Sequence, residues 1–515
     1  MTLFTKIEAS PNEILQTSWN NYKAEIIDPD GGVRRRDQGN DVVSEGIAYT
    51  MLRAVWINDQ DTFDKVYNFA EQKMSRKNKA DLGDNLLAWQ YQGNAVSDWG
   101  AASDADEDYA LALAFADKKW GTPKLGGLES YRNKSIAVQK DILRLETGWI
   151  GDKVYLQPGT WHAFKAPIPV NPSYLAPGHY KVFDKMSPDP RWDKLVESSY
   201  DVLWKSSGSI DGQIGMGLPP DWVQVNENGS VSKSPNLGID YKYDAFRTSM
   251  RVAMDYAWTG DMRAKNYLTV SGARNFLLST LTSNGKIVAE YRHDGTPMSE
   301  DANAGTYAVN VGWFMPENQD KVDEFKVKME DEYNKNNRKF MAGTNYYMEN
   351  LAWIGYALAT GNTPDIYGGQ QSAGGAPAQL TSRSELSVVT PVINSLTSPS
   401  LSPESSLQPS AQPNPPAVQV DTDQWLQIKN PSDNQNLSGK FTMTIKNTMP
   451  NNQGTWWSVD SGSWIDLNNV GNNEWSGEIN ISEWNWKQDQ NYTLHGWTKD
   501  SNGNQVHTQI TIHKQ

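Results

Sequence analysis

Apolar residues recur with helical spacing over much of residues 11–368. In residues 61–74, "DTFDKVYNFAEQKM", five apolar side chains fall at i, i+3, i+4, i+7 and i+11, on one face of a helix: Phe63, Val66, Tyr67, Ala70 and Met74. Residues 44–57, 243–258 and 345–361 have similar length and periodicity. The last of these stops at a glycine, as helices often do.

Residues 110–116, "ALALAFA", fit two periodicities. Leu111, Leu113 and Phe115 alternate as in a strand, but acidic residues and "DKKW" bound the apolar stretch over helical length, which favours a helix. Gly- and Pro-rich breakers such as "GMGLPP" separate the helical runs. Many antiparallel helices in one large, mainly α domain indicate a helical barrel or toroid.

The end of the chain changes period. Residues 440–447, 477–484, 492–499 and 507–514 alternate apolar and polar positions, with Asn-, Gly- and Asp-containing turns between them, such as "SNGN" at 501–504. This pattern predicts a small β-sandwich of immunoglobulin-like type. It contains eight of the 21 tryptophans of the chain.

A segment rich in Ser, Pro, Gly and Gln separates the two patterns. It spans residues 369–421 and has too little apolar surface to offset the entropy of ordering, so it predicts a flexible linker. The predicted domains are therefore a helical domain at 11–368, the linker at 369–421 and a β-sandwich domain at 422–515.

Composition excludes several classes of function. The net charge of −14 argues against partners with a phosphate backbone and against anionic membranes. The absence of cysteine excludes disulfides, thiolate zinc sites and a cysteine nucleophile, and six histidines are few for a metal centre. We expect no metal, no cofactor, no nucleic acid and no membrane span. Residues 1–20 lack the apolar core of a signal peptide, so either the protein is cytosolic or an export signal is missing from this chain.

Residues 102–109, "ASDADEDY", place four carboxylates beside an apolar run. A calcium loop would fit the spacing of Asp104, Asp106 and Asp108, but such a loop needs Gly and Glu where Tyr109 and Phe115 stand. A second interpretation is a helix start capped by Ser103 or Asp104, with the other acids on the positive helix end or facing solvent. A third is a catalytic carboxylate.

The third interpretation needs a partner carboxylate. Hydrolysis of a glycosidic bond takes two carboxyl groups, one that protonates the leaving oxygen and one that activates water. Glu45 and Asp244 each open an apolar helical run. Each alone also fits a first-turn acid favoured by the helix dipole. In a helical toroid, however, such helix starts can converge on one rim.

Several motifs resemble those of glycoside hydrolase family 8. Residues 102–120 follow its signature A-[ST]-D-[AG]-D with the trailing alanines and final Trp, departing at Tyr109 and Ala114. "SEGIAYTM" resembles another family segment with Thr50 in place of Gly, and "YDAFR" at 243–247 resembles a third. The segments at 171–177 and 345–362 also look like family segments.

The resemblance implies an (α/α)6 barrel and an inverting hydrolase of β-1,4-linked glycans that needs no cofactor. By motif position, Glu45 aligns with the general acid, Asp244 with the general base and Asp104 with a carboxylate that grips the distorted sugar. Further aligned or candidate substrate-binding residues are Tyr174, Tyr243, Arg247, Trp89 and Trp161, the two tryptophans having core packing as their alternative. Asp106, Glu107 and Asp108 then serve the helix start or its neighbours.

The implied substrate is a β-1,4-linked polysaccharide. Asp244 favours the branch with cellulases and xylanases, because the branch with chitosanases has Asn there. We therefore expect an endo-β-1,4-glucanase, with a xylanase, a mixed-linkage glucanase or a chitosanase as alternatives, and a non-catalytic glycan-binding protein as the alternative from another class. The C-terminal module is either a carbohydrate binder or a spacer. A linker of this composition is typical of secreted polysaccharide-degrading enzymes, so we expect a secreted monomer.

Overall fold

A computed structural model describes residues 9–368, 425–459, 465–480, 490–500 and 505–514. These residues fall into two units, one within Met1–Glu385 and one within Leu386–Gln515. The linker expected at 369–421 and the turn at 501–504 lie outside the described residues. The domain bounds drawn from the sequence therefore stay predictions.

The first unit is mainly helical. Its α-helices are, in chain order, α1 Pro11–Ile26, α2 Ser44–Trp56, α3 Gln60–Phe69, α4 Ser103–Trp120, α5 Tyr131–Asp141, α6 Pro177–Met186, α7 Pro190–Ser207, α8 Arg247–Thr259, α9 Met262–Val270, α10 Ala273–Asn284, α11 Ala304–Asn310, α12 Gln319–Lys335 and α13 Tyr346–Ala359. Single π-helical turns extend α3 and α5 over Ala70–Met74 and Ile142–Glu146, and 3₁₀ turns cover Arg76–Asn78, Pro172–Tyr174 and Val311–Trp313.

Short strands connect some of these helices. They are β1 Val42–Val43, β2 Gln90–Gln92, β3 Ala95–Asp98, β4 Thr147–Ile150, β5 Lys153–Leu156, β6 Ile168–Val170, β7 Val223–Val225 and β8 Val231–Ser232. They form three small antiparallel sheets with the orders β1-β2-β3, β4-β5 and β6-β7-β8. The first and third of these sheets lie next to segments that carry candidate site residues.

Six helices contact one another in a closed cycle. α2 contacts α4, α4 contacts α6, α6 contacts α8, α8 contacts α11, α11 contacts α13, and α13 returns to α2. Each of the six also contacts a second helix outside the cycle: α3, α5, α7, α9, α12 and α1 respectively. The helix starts of the cycle are thus held in fixed relation to one another.

Burial distinguishes the two sets of helices. Ser103–Ala116 of α4 is buried on every side, as expected of a helix enclosed by others. In α12, by contrast, one stripe is buried, at Val322, Phe325, Met329 and Tyr333, while the other positions are more exposed. α4 thus shows the all-round burial of a helix in the cycle, and α12 the one-sided burial of a helix outside it.

The structure confirms the helices predicted at 44–57, 61–74 and 345–361 within a few residues, and residues 110–116 lie within a helix, α4, as interpreted. The helix predicted at 243–258 begins later, at Arg247, and residues 243–246 form a turn. The reason is that the carboxylate of Asp221 accepts the backbone N–H groups of Lys242 and Ala245, which fixes the chain in a turn before the helix starts.

The second unit consists of strands within its described residues. They are β9 Leu426–Asn430, β10 Gln435–Leu437, β11 Lys440–Asn447, β12 Asn452–Val459, β13 Ile465–Asp466, β14 Asn468–Gly471, β15 Glu474–Asn480, β16 Gln490–Asp500 and β17 Gln505–Lys514. Two sheets, β10-β17-β16-β12-β13 and β14-β15-β11-β9, share one apolar core. The predicted strands at 440–447, 492–499 and 507–514 are confirmed, whereas β15 starts before the predicted 477.

Within the described residues, no helix combines the length and the apolar character that crossing a membrane requires.

Close backbone approach at Gly355 gives a test of the helix cycle. A Cβ atom at this position of α13 would lie 2.5 Å from the carbonyl oxygen of Ala308 in α11. We expect Gly355→Ala to lower the free energy of unfolding by about 1–3 kcal/mol, because the two helices must move apart. Denaturant unfolding measures this.

Gly126→Ala is the matched control, since a Cβ there meets nothing within 4 Å. Equal stability of the two variants would contradict the close helix contact.

Candidate active site

Three carboxylates meet on one buried guanidinium group. Arg247, the first residue of α8, donates from Nη1 to Glu45 Oε2 at 2.9 Å and to Asp104 Oδ2 at 2.5 Å, and from Nη2 to Asp244 Oδ1 at 3.1 Å. Glu45 and Asp104 are the second residues of α2 and α4. The convergence of helix starts expected from the sequence is therefore present. The closed cycle of helices brings it about.

Asp244 lies in the turn before α8, not on the helix itself. Its second oxygen, Oδ2, accepts a hydrogen bond from the indole nitrogen of Trp222 at 2.9 Å. Its side chain is 38% exposed, against 20% for Glu45 and 5% for Asp104. Of the three carboxylates, Asp244 is thus the one most open to solvent.

Glu45 is the carboxyl group with the strongest reason to hold a proton. Burial, opposed by Arg247 and reinforced by the charges of Asp104 and Asp244, raises the pKa of Glu45 to about 7. The Tyr346 hydroxyl donates to Glu45 Oε1 at 2.8 Å. At acidic and neutral pH Glu45 can therefore donate a proton to a bound group.

A glycine makes the contact between Tyr346 and Glu45 possible. A Cβ atom at Gly46, in the first turn of α2, would lie 2.9 Å from the ring of Tyr346. Real Cβ atoms hardly ever approach other atoms so closely, so a larger residue would displace the ring. Gly46 thereby lets the start of α13 reach the acid on α2.

Aromatic rings cover Arg247. The guanidinium carbon lies 5.0 Å from the ring centroid of Tyr174, within cation–π distance. Tyr174, at the end of a 3₁₀ turn, in turn meets the ring of Trp222 edge-on with centroids 6.0 Å apart. The substrate-contacting position expected for Tyr174 is therefore beside the carboxylates.

The other aromatic candidates lie near the site but do not contact the carboxylates. Tyr243 is 46% exposed, its ring packs on Phe246 at 5.2 Å, and its carbonyl accepts the hydroxyl of Tyr347. Trp89 and Trp161 are 37% and 57% exposed, so the alternative of buried core tryptophans is wrong.

The backbone places both tryptophans next to helix starts that carry carboxylates. The carbonyl of Trp89 accepts the N–H of Ser44, the residue before Glu45. The N–H of Thr160, the residue before Trp161, donates to the carbonyl of Ala101, close to the start of α4. Each exposed ring thus belongs to a segment whose backbone borders one of these helix starts.

The three remaining acids of 102–109 are buried in the domain. Asp106 accepts the N–H of Leu87, Glu107 accepts the hydroxyl of Tyr180, and Asp108 forms two hydrogen bonds of 2.9 Å with Arg251. The interpretation in which some of these acids face solvent is wrong, because α4 is enclosed by other helices. The cap by Ser103 or Asp104 in the same interpretation is wrong too: Ala102 is the N-cap residue and makes no side-chain bond.

Sequence reasoning missed three side chains that hold the site together: Trp222, Asp221 and Tyr346. Asp221 and Trp222 directly follow the breaker "GMGLPP". An acidic and an aromatic residue after two prolines were therefore the local sequence feature that could have pointed to them. Tyr346 follows Asn345, the N-cap of α13, and nothing local distinguishes it from the apolar residues after it.

The arrangement is suited to acid–base chemistry. A carboxyl group with a pKa of about 7 faces a second carboxylate across one guanidinium, and both are accessible to solvent in part. Among the described residues, no three acidic, histidine or cysteine side chains converge closely enough to hold a metal ion.

Known proteins resemble the helical unit. The model of the family "Glycosyl hydrolases family 8" matches residues 1–358. Endoglucanase A of Acetivibrio thermocellus is 33% identical over 320 residues, covering 58% of this chain and 61% of that protein. Endoglucanase 2 of Ruminiclostridium josui is 32% identical over 272 residues, covering 50% and 54%. The chain thus spans less than two thirds of the length of these relatives.

Solved structures share the fold. The β-1,3-1,4-glucanase of Paenibacillus sp. X4 superposes with a TM-score of 0.57 at 22% identity, covering 69% of this chain and 94% of that one. The family match extends over more than half of the chain and includes all four residues that converge at the site. The protein is therefore a member of glycosyl hydrolase family 8.

Proposed function

We propose that this protein is an endo-β-1,4-glucanase that cleaves internal bonds of cellulose with inversion of configuration. The observation that carries the proposal is the convergence of Glu45, Asp104 and Asp244 on Arg247, with Glu45 holding a proton up to about pH 7. The endoglucanases among its relatives support the same activity.

In this mechanism Glu45 is the general acid. Its raised pKa keeps it protonated up to about pH 7, and a protonated carboxyl group can give its proton to the departing glycosidic oxygen. One fifth of the Glu45 side chain is exposed, so a bound substrate can reach the carboxyl group.

Asp244 is the general base. It takes a proton from water as the water attacks the anomeric carbon on the face opposite to Glu45. Two hydrogen bonds and one guanidinium separate the two carboxyl groups, so they do not touch each other. Inverting enzymes need a gap of roughly 6.5–9.5 Å between the two carboxyl groups, because the water must fit between base and sugar.

Asp104 and Arg247 fix the sugar at the cleavage point. Asp104 is almost fully buried and bound to Arg247, so its side chain has no rotamer freedom. The lone pairs that Arg247 does not use are therefore held toward a bound sugar. Tyr174, Tyr243, Trp89 and Trp161 supply rings for sugar faces along the chain of the substrate.

Three broader proposals accompany the activity. The closed cycle of six helices and its six outer partners support an (α/α)6 barrel. The neutral polysaccharide substrate and the linker-type composition of 369–421 support a secreted enzyme. The third is that the enzyme acts as a monomer.

Loss of either carboxyl group tests the mechanism. We expect the wild type to release new reducing ends from carboxymethylcellulose, and Glu45→Gln and Asp244→Asn each to lower kcat by at least about 10²-fold, because no proton is then given or taken. Glu25→Gln, an exposed carboxylate paired with Lys339, is the control and keeps full activity.

The same assay on other polymers separates the alternatives. Turnover of xylan, mixed-linkage β-glucan or chitosan with none of carboxymethylcellulose would replace cellulose as the substrate. Binding of a polymer with no cleavage of any of them would contradict the enzyme and leave a non-catalytic glycan-binding protein.

The pH dependence follows from Glu45. We expect kcat/KM to fall as pH rises through about 7, because the acid then loses its proton. The hydrogen bond from Tyr346 stabilises the charged form of Glu45 and lowers its pKa. Tyr346→Phe should therefore raise the pKa of Glu45 and move this limb of the pH profile to higher pH, by up to about one unit.

Tyr356→Phe is the matched control, since its hydroxyl donates to Glu330 in the same way outside the site. A limb that stays in place, or moves to lower pH, in Tyr346→Phe would exclude Glu45 as the group that titrates.

We also propose that the C-terminal unit is an immunoglobulin-like sandwich that binds the polysaccharide. Trp457 fills the core, while its neighbour Trp456 points to the other face of the sheet and meets Trp497 across the strands with centroids 4.7 Å apart. A pair of partly exposed rings on one face of a sheet suits the face of a sugar chain. Trp464, Trp484 and Trp486 lie outside the described residues.

Cellulose pull-down of the full chain tests this binding. In the Glu45→Gln background, we expect the double change Trp456→Ala with Trp497→Ala to weaken retention about tenfold, through loss of two stacking rings. Val470→Ala, an exposed apolar residue on the other sheet, should not change retention. Equal retention of all three proteins would mean that the unit is a spacer.

A further inference from the structure

Two adjacent side chains reach the turn that carries Asp244. Asp221 Oδ1 accepts the backbone N–H of Lys242 at 3.2 Å and of Ala245 at 2.8 Å, on either side of Asp244 in the chain. Trp222 Nε1 donates to Asp244 Oδ2 at 2.9 Å. One dipeptide thus fixes both the backbone around Asp244 and its carboxylate.

The dipeptide is itself anchored. The N–H of Asp221 donates to the carbonyl of Asp240 at 2.8 Å, and the N–H of Trp222 donates to the carbonyl of Gly238 at 3.1 Å. It follows Pro219 and Pro220, whose rings restrict the backbone, and leads directly into β7, the central strand of the sheet β6-β7-β8. This dipeptide, which we call the clamp, is therefore tied to a sheet and not to a free loop.

We propose that Asp221 and Trp222 are positioning residues for the catalytic base, holding the Asp244 carboxylate in the plane from which it can take a proton from water. The proposal rests on the function proposed above for Asp244.

Asp244 depends on its neighbours to hold its carboxylate in position. It is the most exposed of the three carboxylates and sits in a turn, so its own element does not fix its rotamer. Trp222 binds one oxygen and Arg247 the other, which fixes the plane of the carboxylate. Each oxygen keeps a further lone pair for water.

Asp221 is the rival candidate for the base itself. Burial raises the pKa of Asp221 to about 7, with the charge of Asp244 acting in the same direction and the backbone hydrogen bonds opposing it. Its Oδ1 is occupied by two backbone N–H groups, and a protonated carboxyl still accepts through its carbonyl oxygen, so the clamp persists in both protonation states. The charged or titratable groups near Asp244 are Arg247, Glu45, Asp221, Tyr174 and Tyr347.

Three variants separate positioning from catalysis. Asp221→Asn keeps the accepting oxygen and should retain kcat within about threefold, whereas a catalytic base would not survive this change. Asp221→Ala releases the turn and should lower kcat about 10²-fold while KM stays within about twofold, because the base moves and the sugar sites do not. Asp221→Asn is thus the conservative variant that rescues Asp221→Ala.

Trp222→Phe tests the carboxylate contact. It keeps an aromatic ring against Tyr174 but removes the N–H that binds Asp244 Oδ2. We expect kcat to be about tenfold lower while KM stays within about twofold, because the carboxylate is held less firmly and the sugar sites do not change. Trp120→Phe, which loses an indole hydrogen bond of the same length to Asn58, is the control and leaves both unchanged.

The outcomes distinguish this proposal from the one it rests on. Inactive Asp221→Asn would make Asp221 the base and overturn the clamp. Normal kcat in Asp221→Ala or in Trp222→Phe would also overturn it, provided that Asp244→Asn is inactive. Full activity in Asp244→Asn would instead refute the proposed function of Asp244. Melting temperatures measured alongside show whether a loss of kcat reflects unfolding.

Discussion

The site depends on one buried cation shared by three carboxylates. Arg247 is 3% exposed and is hydrogen-bonded to Glu45, Asp104 and Asp244, which come from three separate parts of the chain. Three acids so close together would repel one another without it, and removing one partner from a buried ion pair is costly. A single positive charge among three acids also leaves an excess of negative charge. That excess, together with burial, keeps a proton on Glu45.

Buried acids are also paired with donors further along α4, after Asp104. A helix enclosed on all sides ordinarily excludes carboxylates, yet Asp106, Glu107 and Asp108 are buried in its first turns. Each is matched by a donor from another segment: the N–H of Leu87, the hydroxyl of Tyr180 and the guanidinium of Arg251. Buried polar contacts of this kind have few alternative partners, so they fix how α4 sits against its neighbours.

The sequence predicted most of the fold and the centre of the site. Periodicity placed the helices, as at Phe63 and Val66, because one buried face leaves a regular trace in the chain. Glu45, Asp104, Asp244, Arg247 and Tyr174 were all named from local motifs, and the structure brings these five together.

What the sequence could not give are contacts between distant segments. Asp244 was placed on a helix because nothing near it shows that Asp221 captures the N–H groups of its turn. The partners of the acids after Asp104 could not be named, because the burial of α4 depends on helices far along the chain. Tyr346 was missed for the same reason, since its importance comes only from meeting Glu45, 301 positions away.

The contact between Tyr346 and Glu45 has a consequence for when activity begins. Chains leave the ribosome N-terminus first, and domains fold as units. Glu45 is made early, but α13, which carries Tyr346 and closes the cycle onto α2, is made last among the helices of the described residues. A nascent chain therefore holds Glu45 in an unfinished, solvated setting, and the surroundings that raise the pKa of its carboxyl group are complete only when α13 has been made.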